Sequence, residues 1–256
     1  AHRPEAWARR AEEELRALWP AMCVDRLDAD TTRSRSSHRR ILDRFRDGEV
    51  DLLVGTQMVA KGHDFPRVTL VGVLQADAAL HLPDLRSAER TFQLIAQVAG
   101  RAGRGDLPGR VIVQTYHPEH HAIARAATHD YDGFVSWEMP LRQGLGYPPF
   151  ARMTMVRVSS PQEGEAHRAV WQVREAVDRF GGGVVSAGGA LRIRGPAPAP
   201  MYRVKGRFRW QLLLTAGDHA AMGRLLGPLA DAVRRIGQDA GKDTRIVIDR
   251  DPVGML

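Results

Sequence analysis

The sequence predicts an α/β protein with two parts: a parallel sheet with flanking helices, followed by a smaller α+β domain. In the first part, short apolar runs alternate with amphipathic helical patterns, an order typical of parallel strands connected and covered by helices. In the second part, the predicted order is strand, helix, strand, strand, helix, strand. With 256 residues, 43% of them hydrophobic, the chain is long enough for two compact domains with separate cores.

The first part is a succession of short strands and helices that resembles a RecA-like lobe. Ser36 or Ser37 is expected to cap the second helix, which Gly48 closes. In chain order, the predicted elements are helix Ala6–Trp19, strand Cys23–Leu27, a helix ending at Asp47, strand Asp51–Val54, strand Val68–Gln75, helix Leu85–Ala99, strand Arg110–Thr115 and a helical region over residues 118–142.

The segment 144–149 separates the two parts, because consecutive prolines cannot continue a helix and favour extended backbone before them. We therefore predict domains at 1–143 and 144–256. Glycines at 181–183 and 188–189 predict flexible connectors, and the prolines over 196–200 predict a stiff, extended one. The remaining segments predict the order of a ferredoxin-like fold: strand Ala151–Val158, helix Gln162–Phe180, strands Leu191–Arg194 and Arg207–Leu214, helix Asp218–Ile236 and strand Thr244–Asp249.

The chain is basic, with a formal net charge of +7 and a pI near 10.2, which suits a polyanionic partner. Of the 37 basic residues, 34 are arginines, an excess that reflects either phosphate binding or the codon usage of a GC-rich genome. The sequence has no run of 18 apolar residues and no basic-then-apolar leader, so we expect a cytoplasmic, nucleoid-associated protein without a membrane partner. The single cysteine, Cys23, excludes an internal disulfide and a multi-cysteine metal site.

Residues 97–104 combine a helix end with two guanidinium groups. Gln97, Arg101 and Arg104 recur at spacings of four and three, so they share one helical face, and the glycines between them admit a close partner. Two guanidinium groups suit a triphosphate, because an arginine supplied across a cleft stabilises charge on a transferring phosphoryl group. The alternative is a Gly/Arg surface turn after a helix.

A second polar segment, residues 55–65, follows the predicted strand Asp51–Val54. Loops at the carboxyl ends of parallel strands are where open α/β sheets bind ligands. Thr56, Lys61 and Asp64 place a hydroxyl, an ammonium and a carboxylate in this loop. An ordinary mixed-charge loop is the alternative, but the occurrence of both segments in this order, 42 residues apart, argues against coincidence.

The strings Gly55-Thr-Gln-Met-Val-Ala-Lys-Gly-His-Asp-Phe65 and Gln97-Val-Ala-Gly-Arg-Ala-Gly-Arg104 resemble motifs V and VI of superfamily 2 helicases. Their variant is similar to that of the PriA (primosomal protein N′) family of replication-restart helicases. The resemblance extends from about Glu12 to Pro252 and includes Asp28-Ala-Asp-Thr-Thr32, Ala76-Asp77, Pro83-Asp-Leu-Arg-Ser-Ala-Glu-Arg90, Gln114-Thr-Tyr-His-Pro-Glu119, Gly146-Tyr-Pro-Pro-Phe150 and Arg207-Phe-Arg-Trp-Gln211.

The resemblance implies the C-terminal part of a 3′ to 5′ ATP-dependent DNA helicase that recognises stalled or branched forks and initiates primosome assembly. Arg101 and Arg104 would contact the γ-phosphate of ATP, with Gln97 aligning that contact. The ATP and its Mg²⁺ would be held by a first lobe that supplies the phosphate-binding loop Gly-x-x-x-x-Gly-Lys-Ser/Thr. That loop does not occur in these 256 residues, so we expect no ATP hydrolysis by this chain alone.

Further residues of the first part would link the nucleotide to DNA. Gly55, Thr56 and Asp64 would connect nucleotide state to the DNA-binding surface, with Asp64 near the ribose or the attacking water. Lys61 would contact either a DNA phosphate or a carboxylate of the other lobe. The family also carries a cysteine-rich zinc-binding insertion, which we expect upstream of this chain, whose own residues predict no metal site.

The segment 203–211 interleaves four cations with two aromatic residues on a predicted strand. Strand alternation predicts Arg207, Arg209 and Gln211 on one face and the aromatic side chains on the other, either simply in the core or behind a binding surface. With Lys205, the cationic face could bind DNA phosphates or an acidic peptide. The resemblance implies branched and single-stranded DNA as ligands, the acidic tail of single-stranded-DNA-binding protein at Arg207 and Gln211, and primosome proteins that load the replicative helicase.

Other interpretations remain open at this point. The alternative function is a non-catalytic module that binds forks and partners, and another superfamily 2 translocase is a third possibility. Arg86 and Glu89 are favoured as a surface ion pair over a catalytic role. His117, His120 and His121 could bind zinc, but Pro118 favours a helix start there. The unusual first residues indicate either a fragment or a misassigned start.

Overall fold

The computed structural model describes residues 4–28, 35–56, 65, 67–100, 108–187 and 190–255. They form two compact units. The first unit comprises Ala1–Ala79 and Glu89–Tyr131, and the second comprises Leu80–Ala88 and Asp132–Leu256. None of the helices in the described ranges is long and apolar enough to cross a membrane.

The first unit contains two pairs of parallel strands. β1 pairs with β2, and β3 pairs with β4. Leu27, Leu42 and Phe65 are buried together at the centre of the first pair and its helices. The elements are α1 Pro4–Leu18, β1 Val24–Leu27, α2 Arg35–Asp47, β2 Leu52–Gly55, β3 Leu70–Val73, α3 Ser87–Ala99, whose first two residues lie in the second unit, β4 Arg110–Val113 and α4 His121–Ala127.

The second unit is a four-stranded antiparallel sheet with strand order β6-β7-β5-β8. Helices α6 and α7 pack on one face, and the core between them and the sheet contains Val156, Leu212, Leu214, Leu225 and Leu229. The elements are α5 Tyr131–Leu145, β5 Arg152–Ser160, α6 Glu163–Ser186, β6 Leu191–Val204, β7 Arg207–Ala216, α7 His219–Asp239 and β8 Arg245–Arg250. The chain is therefore α/β, with parallel and antiparallel sheets, as the sequence predicted.

Two segments predicted as connectors belong to regular elements of the second unit, and the glycines predicted as a connector at 188–189 lie outside the described residues. Helix α6 continues through the three glycines at 181–183 to Ser186, because Val184 is buried in the core and holds the last turn in place. Gly181 permits close packing there, since a Cβ atom on it would lie 2.8 Å from Cδ2 of Leu191. The proline segment is extended, as predicted, but it belongs to β6, which does not end at Arg194 and pairs with β7 across irregularities in register.

Two predictions for helices also need correction. Ser36 and Ser37 lie inside α2, which begins at Arg35, instead of capping it. The helical region over 118–142 is two helices, α4 and α5, separated at residues 128–130. His129 adopts a φ of 54° at the break, and Asp130 holds the turn through an ion pair of 2.7 Å with Arg125.

Candidate nucleic-acid interface

Strand β7 presents its cationic and aromatic side chains on opposite faces of the second-unit sheet. Gln211 lies in register with Arg157 of β5, and Arg209 lies in register with Ser159. We call this side of the sheet the polar face. Because side chains alternate along a strand, Phe208 and Trp210 lie on the opposite side, where Trp210 packs against α6.

Arg207 connects the beginning of β7 to two neighbouring segments. Its Nη2 donates to the carbonyl oxygen of Ser159 at 2.8 Å and to the carbonyl oxygen of Asp243, and its Nε lies 3.4 Å from Ser159 Oγ. A guanidinium group has five N–H donors, so these contacts engage three of them. Arg207 therefore has a structural role besides any contact with a ligand.

Two arginines of the polar face lie close enough to affect each other. Burial first, and then the positive charge of Arg157, lower the pKa of Arg209, although an arginine stays charged at neutral pH. Arg157 donates to Asp249 Oδ2 at 3.3 Å and to the Gly254 carbonyl oxygen at 3.1 Å. Within the described ranges, no carboxylate forms an ion pair with Arg209. An incoming phosphate or carboxylate would therefore relieve a repulsion already present.

The polar face also contains a buried amide oxygen. Among the described residues, Gln211 Oε1 has no hydrogen-bond partner although it is buried. Buried polar atoms without partners are uncommon and require a reason, such as a ligand or an ordered water. Lys205 lies apart from this amide, at the exposed tip of the turn between β6 and β7, where it and Gly206 have φ values of 49° and 77°.

The other end of the polar face is apolar and covered by the chain itself. The buried side chains of Met153, Met155 and Leu213 pack against Leu85, Tyr147 and Met255. Asp84 stabilises this packing, because its carboxylate accepts the backbone N–H of Arg86 at 2.9 Å and that of Met255 at 3.3 Å. Within the described ranges this cover lies over the apolar end, which makes the arginine-rich end of the face the candidate surface for a ligand.

The net positive charge of the chain is concentrated in its C-terminal part. Residues 151–256 contain 17 basic and 10 acidic residues, whereas residues 1–150 contain 20 of each. The whole excess of +7 thus lies on the part that forms the antiparallel sheet and its helices. Polyanion binding is consequently an expected property of this part rather than of the chain as a whole.

The predicted nucleotide-linked residues are placed only in part. Gly55 ends β2 and lies in register with Leu27, the last residue of β1, so both strands end at the edge where the polar segment begins. Thr56 follows and is half-buried, and Gln97 is exposed on α3. The other predicted residues lie outside the described residues: Lys61, Asp64, Arg101 and Arg104.

Sequence reasoning missed part of the polar face and misplaced a helix start. Arg157 comes from β5, and only the strand register brings it beside Gln211. The alternation of β5 could have indicated that Arg157 faces away from the core. Helix α4 begins at His121 and not at Pro118, and His120 caps it by accepting the N–H of Ala122 at 3.2 Å through Nδ1.

Comparison with known families matches both parts of the chain. Residues 6–106 match the helicase conserved C-terminal domain, and residues 143–253 match the primosomal protein N C-terminal domain. The chain is similar to curated proteins named replication restart protein PriA. Identity is 40% over 96% of this chain for the Bacillus subtilis protein, 40% over 95% for that of Synechocystis, and 34% over 94% for that of Haemophilus influenzae.

The chain spans only part of these relatives, covering 30%, 28% and 32% of their respective lengths. A solved hydantoinase/carbamoylase family amidase from Burkholderia ambifaria overlaps 40% of this chain and 28% of its own chain, with 22% identity and a TM-score of 0.29. That overlap carries no argument about fold or function. The sequence relatives and the two matched domains are the comparisons that identify the family of this chain.

Proposed function

We propose that this chain, which belongs to the PriA family, is the C-terminal portion of an ATP-dependent DNA helicase that restarts replication at stalled or branched forks. Such a helicase would move 3′ to 5′ and initiate primosome assembly. The observation that carries the proposal is 40% identity to a replication restart protein over 96% of the chain. The concentration of positive charge in residues 151–256 supports DNA as the ligand.

The two parts would have separate tasks. Residues 1–143 are proposed as part of a RecA-like second motor lobe, and residues 144–256 as a ferredoxin-like DNA-binding domain. The parallel strand pairs β1-β2 and β3-β4 are compatible with the first fold, and the strand order β6-β7-β5-β8 is compatible with the second. The division at residue 143 stays a prediction.

The first part would complete an ATP site held mainly by another lobe. Arg101 and Arg104 are proposed to contact the γ-phosphate, and Gln97 to align them. Gly55, Thr56 and Asp64 would respond to the bound nucleotide. Three features support this arrangement: the shared carboxyl edge of β1 and β2, the exposure of Gln97, and the chemistry of paired guanidinium groups. Mg²⁺ would accompany ATP, and zinc would bind elsewhere in the full-length protein.

The second part is proposed to bind branched and single-stranded DNA. Arg209 and Lys205 would contact phosphates, as would Lys61 in the first part. Arg207 and Gln211 would bind the acidic tail of single-stranded-DNA-binding protein, since the two unused N–H donors of Arg207 suit a peptide carboxylate and Oε1 of Gln211 can accept a backbone N–H of the peptide. Proteins that load the replicative helicase are further proposed partners, all in the cytoplasm.

The motor role can be tested with Arg104→Ala in the full-length protein. We expect DNA-stimulated ATP hydrolysis to be abolished and fork affinity to stay within about twofold, because an arginine finger acts on the transferring phosphoryl group. Arg110→Ala, at an exposed arginine that begins β4, is the matched control and should leave hydrolysis unchanged. Preserved hydrolysis in Arg104→Ala would remove its assigned role.

The isolated 256-residue chain separates the motor from the non-catalytic alternative. It should bind forked DNA with an affinity that falls as salt rises, and it should not hydrolyse ATP. Turnover by this chain alone would contradict the two-lobe account. A full-length protein that binds forks but never hydrolyses ATP would favour the non-catalytic module.

A further inference from the structure

Five ring-bearing side chains form a cluster on the helix-bearing side of the β6–β7 end of the sheet. His167 packs edge-on against Trp210 at 4.9 Å between centroids and lies 6.2 Å from Trp171. Tyr202 contacts Trp210 at 6.1 Å, also edge-on. Phe208 completes the cluster at 5.6 Å from Tyr202. We refer to these five residues as the aromatic cluster.

The aromatic cluster lies at the surface and has a defined geometry. Trp171 is 46% exposed, and the other four rings are half-buried or exposed rather than in the core. The indole Nε1 of Trp171 donates to His167 Nε2 at 3.0 Å, and the Tyr202 hydroxyl donates to Glu163. Since both hydrogen bonds hold a ring in place, a ligand that stacks on the cluster would order few side chains on binding.

The charges around the aromatic cluster are two arginines and two glutamates, of which one arginine is available to an anionic ligand. The guanidinium of Arg203 lies 4.9 Å from the centre of the Phe208 ring, and no carboxylate in the described part of the chain forms an ion pair with it. Arg168 lies one turn of α6 before Trp171 and pairs with Glu165 at 3.2 Å. Because Arg168 is paired and Arg203 has no ion pair among the described residues, Arg203 is the arginine of this rim that a phosphate could contact.

We propose that the aromatic cluster is a stacking site for the unpaired bases of a DNA strand, with Arg203 contacting its phosphates. The inference rests on the proposed function, binding of branched and single-stranded DNA by the C-terminal part, and adds the site that would bind the single strand. Exposed aromatic rings beside arginines bind single strands with little sequence preference, because every base has a π-face. Paired bases in a duplex are stacked on each other and do not offer those faces.

The test compares single-stranded and duplex DNA binding by the 256-residue chain, using fluorescence anisotropy of end-labelled oligonucleotides. Trp171→Ala should weaken single-strand binding about five- to thirty-fold and leave duplex binding within about twofold. Trp171→Phe keeps an aromatic face and should retain most of the affinity. Trp137→Ala removes a similarly exposed tryptophan from α5 and should have no effect.

The outcomes separate this inference from the proposed function. If the wild-type chain binds neither DNA, DNA binding by the C-terminal part fails, and the inference fails with it. If the wild-type chain binds single strands and Trp171→Ala binds them equally well, only the inference is overturned, and a protein partner becomes the occupant to seek. Equal losses for single strands and duplex would also overturn it. Because Trp171 is half exposed, circular dichroism should show an intact fold in every variant.

Discussion

Most core mutations lower the free energy of unfolding, but one replacement of Thr154 in β5 is predicted to raise it. Its side chain is fully buried and lies in register with the core residue Leu214, yet its Oγ1 has no hydrogen-bond partner among the described residues. Burying a hydroxyl without a partner costs about 1 to 3 kcal/mol. Valine has nearly the same shape, adds apolar surface and favours strands, so Thr154→Val should raise the free energy of unfolding by about 1 kcal/mol.

The measurement is urea denaturation followed by circular dichroism, together with hydrogen exchange of the β5 amides, which reports opening of the second unit itself. Thr154→Ser is the matched control: it keeps the hydroxyl but loses a buried methyl group, and should lower stability by about 1 kcal/mol. If Thr154→Val is neutral or destabilising with an unchanged denaturant slope, the hydroxyl has a partner, and the reasoning from the buried atom is wrong.

Three further predictions follow from the second unit. Arg209→Gln should reduce the slope of log affinity for forked DNA against log salt by about 0.9, without loss of stability, because the folded protein disfavours charge at this position; a parallel fall in thermal stability would contradict this. Asp84→Ala should destabilise by about 2 to 4 kcal/mol in urea denaturation, since two backbone N–H groups lose a charged acceptor, whereas Asp84→Asn should cost less. The hydrogen bond to Glu163 raises the pKa of Tyr202. The stabilising effect of this hydrogen bond is therefore present below about pH 10 and is lost as the pH rises through the pKa of Tyr202 in the folded protein. In an alkaline absorbance titration, Tyr202→Phe should remove a late-ionising tyrosine, and loss of an early one would refute the assignment.

Local patterns predicted the elements of the second unit well and their ends poorly. The alternation of β7 follows from its own residues, because a strand side chain can only point to one face or the other. The continuation of α6 through three glycines depends on Val184 being buried by other elements, which no local pattern contains. The same holds for β6, where pairing with β7 keeps a proline-rich segment extended within the sheet.

Predictions about the candidate sites divide in the same way. The sequence indicated Arg207, Arg209 and Gln211 as one cationic face, but it could not show that Arg207 is engaged by two backbone carbonyl groups while Arg209 is repelled by Arg157. It predicted Phe208 and Trp210 on the face opposite the cations, either in the core or behind a binding surface. The structure leaves both rings half-buried, and Trp210 packs against the core and edge-on against His167 of α6.

The sequence by itself determined which reactive side chains the chain offers and in what order: two arginines following a predicted helix, a polar segment following a strand, and a basic strand near the C-terminus, since these depend on residue type and short spacing. Tertiary structure alone decided which charges are neutralised and which surfaces are covered. Leu80–Ala88 is the clearest case, because in sequence it lies between elements of the first unit but it belongs to the second. Its Leu85 packs against β5 and β7, and its Asp84 accepts the backbone N–H of Met255. Contacts between residues far apart in the chain depend on the packing of whole elements, and that packing is not a property of any one segment.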